Sequence, residues 1–320
     1  MNAAVVQAFD APPRYATFAD PVPQAGEALV KITAAGLHPI VKALASGTHY
    51  GSTGELPFIP GVDGVGKLED GTRVFFGMAR SPFGTFAEQG LAANWMRLPL
   101  PDGLDDAIAA GIANPAMSSW AALTARANFV AGESVLILGA TGVAGQLAVQ
   151  VAKRLGARRV VGAGRNPQAL EKLKDLGADA VIGLGQEHDA LVSAFRREYA
   201  EAGVDVVLDY LWGKPAESLL EAISQKGLHS TPARLRFIQI GSSAGGTISL
   251  PAATLRSSKL ELLGSGFGSA SMDQLRQSLA EFFQTAAKTP FHFEVETAPL
   301  RDVEALWSVS GKATRLVFQP

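Results

Sequence analysis

The stretch that most restricts the fold runs from Ser134 to Gly156. Val135-Leu136-Ile137-Leu138 is a strand-length apolar run, and Gly139-Ala140-Thr141-Gly142-Val143-Ala144-Gly145 follows at once. Leu147, Val151 and Leu155 then recur every four residues along one helical face until Gly156 offers a stop. Strand, glycine turn and helix in that order open a βαβ unit. With Gly139, Gly142 and Gly145 spaced three apart, the backbone can approach a pyrophosphate with no Cβ in the way. The helix N-terminus adds unpaired N–H groups and a partial positive charge. A tight turn under a helix-covered sheet would use the same glycines, so the surroundings have to decide.

From about Ser119 onward, apolar runs at Ser134–Leu138, Arg159–Ala163, Ala180–Ile182, Val204–Leu208, Phe237–Ile240 and Leu260–Leu263 alternate with helical patterns. Runs of this kind predict a parallel sheet covered on both faces, a Rossmann-type doubly wound α/β fold, and they favour a dinucleotide site over a bare turn. Gly241-Ser242 and Gly264-Ser265 follow the fifth and sixth runs, at the carboxyl edge where such ligands sit; ordinary turn residues are the competing reading.

The choice of dinucleotide rests on the end of the second run. NAD sites place an acidic side chain about 20 residues past the glycines, on the ribose hydroxyls. No Asp or Glu occurs between Gln146 and Leu170, and the second run ends in Gly164-Arg165-Asn166. A guanidinium there attracts a 2′-phosphate where an acid would repel it. NADPH is therefore the expected cofactor, with a solvated loop cation as the competing reading of Arg165.

Before about residue 115 the texture differs. Short alternating runs such as Ala28–Ala34 and Thr72–Phe76 are separated by Gly and Pro turns, which predicts a compact, strand-rich domain. After Gly268 come a helix expected over Ser271–Ala287, a strand over Phe291–Val295, a short helix near Val303–Trp307 and a final strand Arg315–Phe318. A chain of 320 residues is long for one core, so two domains with a cleft between them are expected: residues 1–117 with 268–320, and residues 118–267.

A formal charge of −2 gives no general field for nucleic acid. The absence of cysteine excludes disulfides, thiolate nucleophiles and every Cys-based metal site. The stretch Ala107–Leu123 is interrupted by Asn114, Pro115 and two serines, which argues against a membrane span, and the first residues show no secretory pattern, so a cytoplasmic protein is expected.

Over nearly its whole length the chain resembles the medium-chain dehydrogenase/reductase family, in its zinc-free quinone oxidoreductase-like branch. The residues that carry the likeness are Pro60-Gly61-Val62-Asp63-Gly64-Val65-Gly66, Asn114-Pro115-Ala116-Met117-Ser118-Ser119-Trp120, the segment Gly139–Lys153, and Gly203-Val204-Asp205-Val206-Val207-Leu208-Asp209, in that order. The resemblance implies a mainly β, GroES-like N-terminal domain completed by the C-terminal segment. It also implies hydride transfer from NADPH to a quinone or other conjugated carbonyl such as an enone or enal, and a homodimer through the last core strand.

Zinc-dependent relatives take ligands from Gly-x-Cys and Gly-His-Glu stretches. The matching stretches here read Gly36-Leu37-His38 and Gly61-Val62-Asp63, and valine cannot ligate, so no metal is expected. By the same resemblance His38 and Tyr50 line the substrate side, with His49 a third candidate or a plain loop residue, and Ser118 lies beside the nicotinamide ribose; an isolated histidine such as His38 is more often a hydrogen-bonded cleft or core residue, and Ser118 has an ordinary turn residue as its competing reading. Val143 stands where many relatives have a second consecutive glycine, and Ala169 where some carry a phosphate-binding lysine, a role that falls to Arg165. Two other functions fit the same cofactor site: a ketone or aldehyde reductase, and a non-catalytic NADPH-binding redox sensor.

Overall fold

The computed structural model describes residues 1–224, 234–266, 268–309 and 314–320. They divide into two compact units, Met1–Pro115 with Leu279–Pro320, and Ala116–Ser278. Along the first unit run β1 (Asn2–Val5), β2 (Arg14–Thr17), β3 (Glu27–Gly36), helix α1 (Pro39–Ala45), β4 (Asp63–Lys67), β5 (Arg73–Gly77), β6 (Gln89–Ala93), β7 (Arg97–Pro99) and the start of α2 (Asp106–Ala121). The second unit contains β8 (Ser134–Leu138), α3 (Val143–Arg154), β9 (Arg159–Gly164), α4 (Pro167–Asp175), β10 (Ala180–Gly183) and α5 (His188–Ala202). It continues with β11 (Val206–Asp209), α6 (Gly213–Ile223), β12 (Leu235–Gln239), α7 (Ala252–Ser257) and β13 (Leu260–Gly264). Helix α8 (Met272–Lys288), β14 (Val295–Pro299), α9 (Val303–Leu306) and β15 (Arg315–Gln319) close the chain.

In the second unit the strand order is β10-β9-β8-β11-β12-β13, and the neighbouring pairs are parallel. Every residue of β8 and of β11 is buried, as a strand covered by helices on both faces requires. Leu136, Val161, Leu191, Phe195, Leu219 and Phe237 belong to one apolar core that joins sheet and helices. The expected α/β fold is the one observed.

The first unit is built on the order β14-β15-β3-β4-β5-β7, with β6 also on β3. Its core gathers Val30, Ile32, Phe76 and Phe86 from the early chain with Leu300, Val303 and Phe318 from the end. The chain's last strand thus finishes a sheet begun by its first part, antiparallel at Val317↔Gly36 and Phe318↔Ala35.

One local expectation needs correction. The run Phe291–Val295 alternates like a strand, but the strand observed is Val295–Pro299. Phe291 instead packs on Phe282 of α8, ring centroids 5.3 Å apart, and this buried aromatic contact outweighs the local alternation. The interrupted stretch near Ala107–Leu123 forms the 16-residue helix α2, with Pro115 inside it. Its apolar residues Ala109, Ala110, Ile112, Ala113 and Ala116 are buried, and such burial offsets the proline penalty.

Candidate functional site

At the carboxyl end of β8 the chain turns through Gly139, with φ +87°, a conformation that a side chain would strain. The N–H groups of Gly139 and Ala140 both bond the Ala163 carbonyl, at 3.0 and 2.9 Å, so the turn is pinned to the end of β9. Gly142 is the N-cap of α3, in extended conformation, with Val143 and Ala144 forming its first turn. A Cβ on Gly145 would lie 2.3 Å from the Gly139 carbonyl oxygen and 2.5 Å from the Ala140 Cα. A Cβ on Gly142 would meet nothing closer than 3.6 Å. One glycine therefore seats the helix against the turn, while the other leaves open the backbone that an anion would approach.

Gly164 shares this close packing, since a Cβ there would lie 2.4 Å from Thr141 Cγ2. Arg165 follows, exposed, and makes no hydrogen bond or ion pair among the described residues. Asn166 has a structural duty: its Oδ1 accepts from the Ala169 N–H at 3.0 Å and caps α4. Ala169 thus lies in the first turn of a capped helix, and the cation that directly follows β9 is Arg165.

Past β12, a Cβ on Gly241 would stand 2.8 Å from the Tyr210 carbonyl oxygen, and the Gly241 N–H bonds Asp209 O at 3.0 Å. Ser242 is exposed. Past β13, the Gly264 carbonyl accepts from Arg126 at 2.9 Å and the Ser265 N–H bonds Gln239 O at 2.8 Å. The ends of β8, β9, β11 and β12 thus meet around the glycine turn, whereas Gly264 has open space around it. The packed glycines, open N-cap and unpaired guanidinium fit a phosphorylated dinucleotide.

Sequence reasoning did not single out Asp209 or Tyr210. Asp209 is fully buried at the end of β11. Its Oδ1 accepts from the Leu211 and Trp212 N–H groups at 2.8 and 3.0 Å, and its Oδ2 is buried without a partner. Burial pushes this carboxyl up to about 6, against the two backbone hydrogen bonds. The turn it holds is unusual, because Trp212 has φ +57° and ψ −158°. The Tyr210 hydroxyl lies 3.1 Å from that of Ser118, and burial pushes the phenol up to about 12 against hydrogen bonds from Ser118 and Ser119. The signal was present, since an Asp ending a buried strand at a ligand edge is costly unless it has work to do.

The residues expected on the substrate side belong to the first unit. His38 is fully buried, with Nε2 3.2 Å from Asp63 Oδ1. Burial lowers its pKa, opposed by Asp63, while the Arg315 charge lowers it further. Arg315 is itself lowered to about 10 by burial, and its Nη1 donates to Leu37 O at 3.0 Å. His38 has no surface to offer a substrate here; it is packed before α1, and its carbonyl accepts from Val41. Tyr50 is 82% exposed and stacks on His49 with ring centroids 4.2 Å apart. The His49 Nδ1 accepts from the Gly51 N–H at 3.0 Å, which leaves Nε2 as the protonated nitrogen of the neutral ring.

A family model described as a zinc-binding dehydrogenase matches residues 143–285. The chain is 28% identical to a protein of Emericella nidulans described as a probable NADPH-dependent quinone reductase, across all of both chains. It is 28% identical to the human quinone oxidoreductase over 270 residues, spanning 81% of this chain and 77% of the human one. Among solved structures, the quinone oxidoreductase of Thermus thermophilus, determined also in complex with NADPH, matches with a TM-score of 0.79 at 26% identity over the whole of both chains.

The zinc in the family description does not fit the residues present. Among the described residues no group of three or more His, Asp or Glu side chains could hold a metal ion. Position 62 is valine, and Asp63 already faces His38 and the charge of Arg315.

Proposed function

We propose that this chain, which belongs to the medium-chain dehydrogenase/reductase family in its quinone reductase-like branch, is an NADPH-dependent oxidoreductase that reduces a quinone or another conjugated carbonyl without a catalytic metal. The observation that carries this reading is the unpaired guanidinium of Arg165 beside a glycine turn whose open N-cap suits a pyrophosphate. Residues Gly139–Ala144 would hold the pyrophosphate through backbone N–H groups, and Arg165 would bind the 2′-phosphate. Bound NADPH supplies hydride. With His38 fully buried and valine at position 62, polarisation of the acceptor falls to hydrogen bonds, which favours acceptors whose conjugation already lowers the barrier. Tyr50 and His49 are the substrate-facing donors in this reading, and His38 supports the start of α1 from within.

A homodimer would pair copies through β13, which stands last in its sheet. No helix among the described residues is long and apolar enough to cross a membrane; a cytoplasmic location belongs to the same proposal.

The test compares NADPH and NADH binding by fluorescence in the wild type and Arg165→Ala. NADPH should bind the variant about ten- to a hundredfold more weakly, with NADH nearly unaffected. Equal affinities for the two cofactors in the wild type would sink the phosphate assignment. Turnover with quinones and enals, with 1,4-reduced products, separates this enzyme from a binding protein and from a simple carbonyl reductase.

A further inference from the structure

The sheet order reverses direction between β8 and β11, which are adjacent in space although β9 and β10 intervene in sequence. A doubly wound sheet binds its ligand at this switch point, one half of the dinucleotide on each half of the sheet. The glycine turn ends β8, and Arg165 ends β9, so the half formed by β8, β9 and β10 is committed to the phosphorylated adenosine side.

The first residue past the strand on the other side of the switch is Tyr210. It is fixed tightly to the glycine turn: its N–H bonds Leu138 O at 3.1 Å, and a Cβ on Gly139 would lie 3.3 Å from the Tyr210 Cβ and 3.0 Å from Leu211 Cδ2. Its carbonyl accepts from the Ser243 hydroxyl at 3.0 Å. Asp209 holds the following turn through two backbone N–H groups. All of this places a phenol, 3.1 Å from the Ser118 hydroxyl, beside the pyrophosphate turn. A phenol is both donor and acceptor, and a pair of hydroxyls 3.1 Å apart has the chemistry that the diol of a ribose requires.

We propose that Tyr210 is a cofactor-binding residue, which together with Ser118 forms a hydroxyl subsite for the ribose on the nicotinamide side of the dinucleotide. This rests on the dinucleotide reading above. A purely structural tie between α2 and β11 is the alternative, and the two differ in which ligand they affect.

The experiment measures Kd by calorimetry for NADPH and for 2′,5′-ADP, which carries the adenosine half and the 2′-phosphate but no nicotinamide ribose. Wild type, Tyr210→Phe, Ser118→Ala and the double variant are compared, with melting temperature as the control for folding. Tyr210→Phe should weaken NADPH about three- to tenfold and leave 2′,5′-ADP within about twofold. The double variant should lose less than the product of the single losses, because the two hydroxyls act as a unit. Unchanged NADPH affinity in Tyr210→Phe overturns the proposal, as does a parallel loss for both ligands. Failure of the wild type to bind 2′,5′-ADP would instead remove the dinucleotide reading beneath it.

Discussion

The glycine turn of the second unit and the His38 cluster of the first build polar sites by opposite means. Around Gly139–Gly145 the groups that would meet a ligand are backbone N–H donors, and side chains matter chiefly where they are missing. Around His38 the groups are side chains, and what they can do depends on a burial set by distant parts of the chain, Arg315 among them. A backbone site states its geometry through glycine identity; a side-chain site becomes readable only after tertiary packing is known.

The two sites should therefore break differently. The largest effect is expected at Gly145→Val, whose Cβ would sit 2.3 Å from a backbone oxygen that cannot move aside cheaply. Such overpacking should cost about 3 kcal/mol or more, seen as a large fall in Tm and loss of NADPH binding. Gly142→Ala, with its nearest neighbour at 3.6 Å, should leave Tm near the wild-type value. Similar losses from both would mean that the turn is not closely packed after all.

Next in size are the pH profiles, which should slope in opposite directions. Asp209 is raised from an ordinary 3.8 to about 6, so its contribution to stability is complete below the lower value and fades as pH rises through the upper. The change is about 3 kcal/mol at most, and Asp209→Asn should flatten it in urea titrations between those limits. A slope that survives the substitution would assign it to another group. His38 is lowered below its ordinary 6.5, so its contribution is present above that value and is lost as pH falls through the lower folded one. His38→Leu should remove this acid-side slope and leave stability at neutral pH within about 1–2 kcal/mol of the wild type. If His38→Leu left stability intact yet abolished turnover, His38 would have to reach a substrate after all.

How much could be read beforehand follows the same division. β8 is legible residue for residue, because a fully buried parallel strand is an uninterrupted apolar run between recognisable turns. The glycines and Arg165 stand out in the sequence as candidates because their identities are constrained locally. A core position is the common reading of an isolated histidine, but its surroundings are not legible, since nothing near residue 38 announces the approach of Asp63 or the cation arriving from β15. Tyr210 was passed over because a tyrosine after a strand is unremarkable until Ser118, 92 positions earlier, is found beside it.

The closing of the first unit by β15 also bears on how the chain is made. Residues 116–278 form a continuous segment, whereas the first unit needs Val317 and Phe318 against Ala35 and Gly36. During translation, which runs from the N-terminus, the nucleotide-type unit has its full sequence while the sheet that started earlier still lacks its last two strands. The first 115 residues must therefore wait, with the Ala35–Gly36 end of β3 lacking its β15 partner, until Val317 and Phe318 have been made, and such edges invite misassembly. An order of birth and an order of completion that disagree make the early segment the part of this chain most dependent on chaperones.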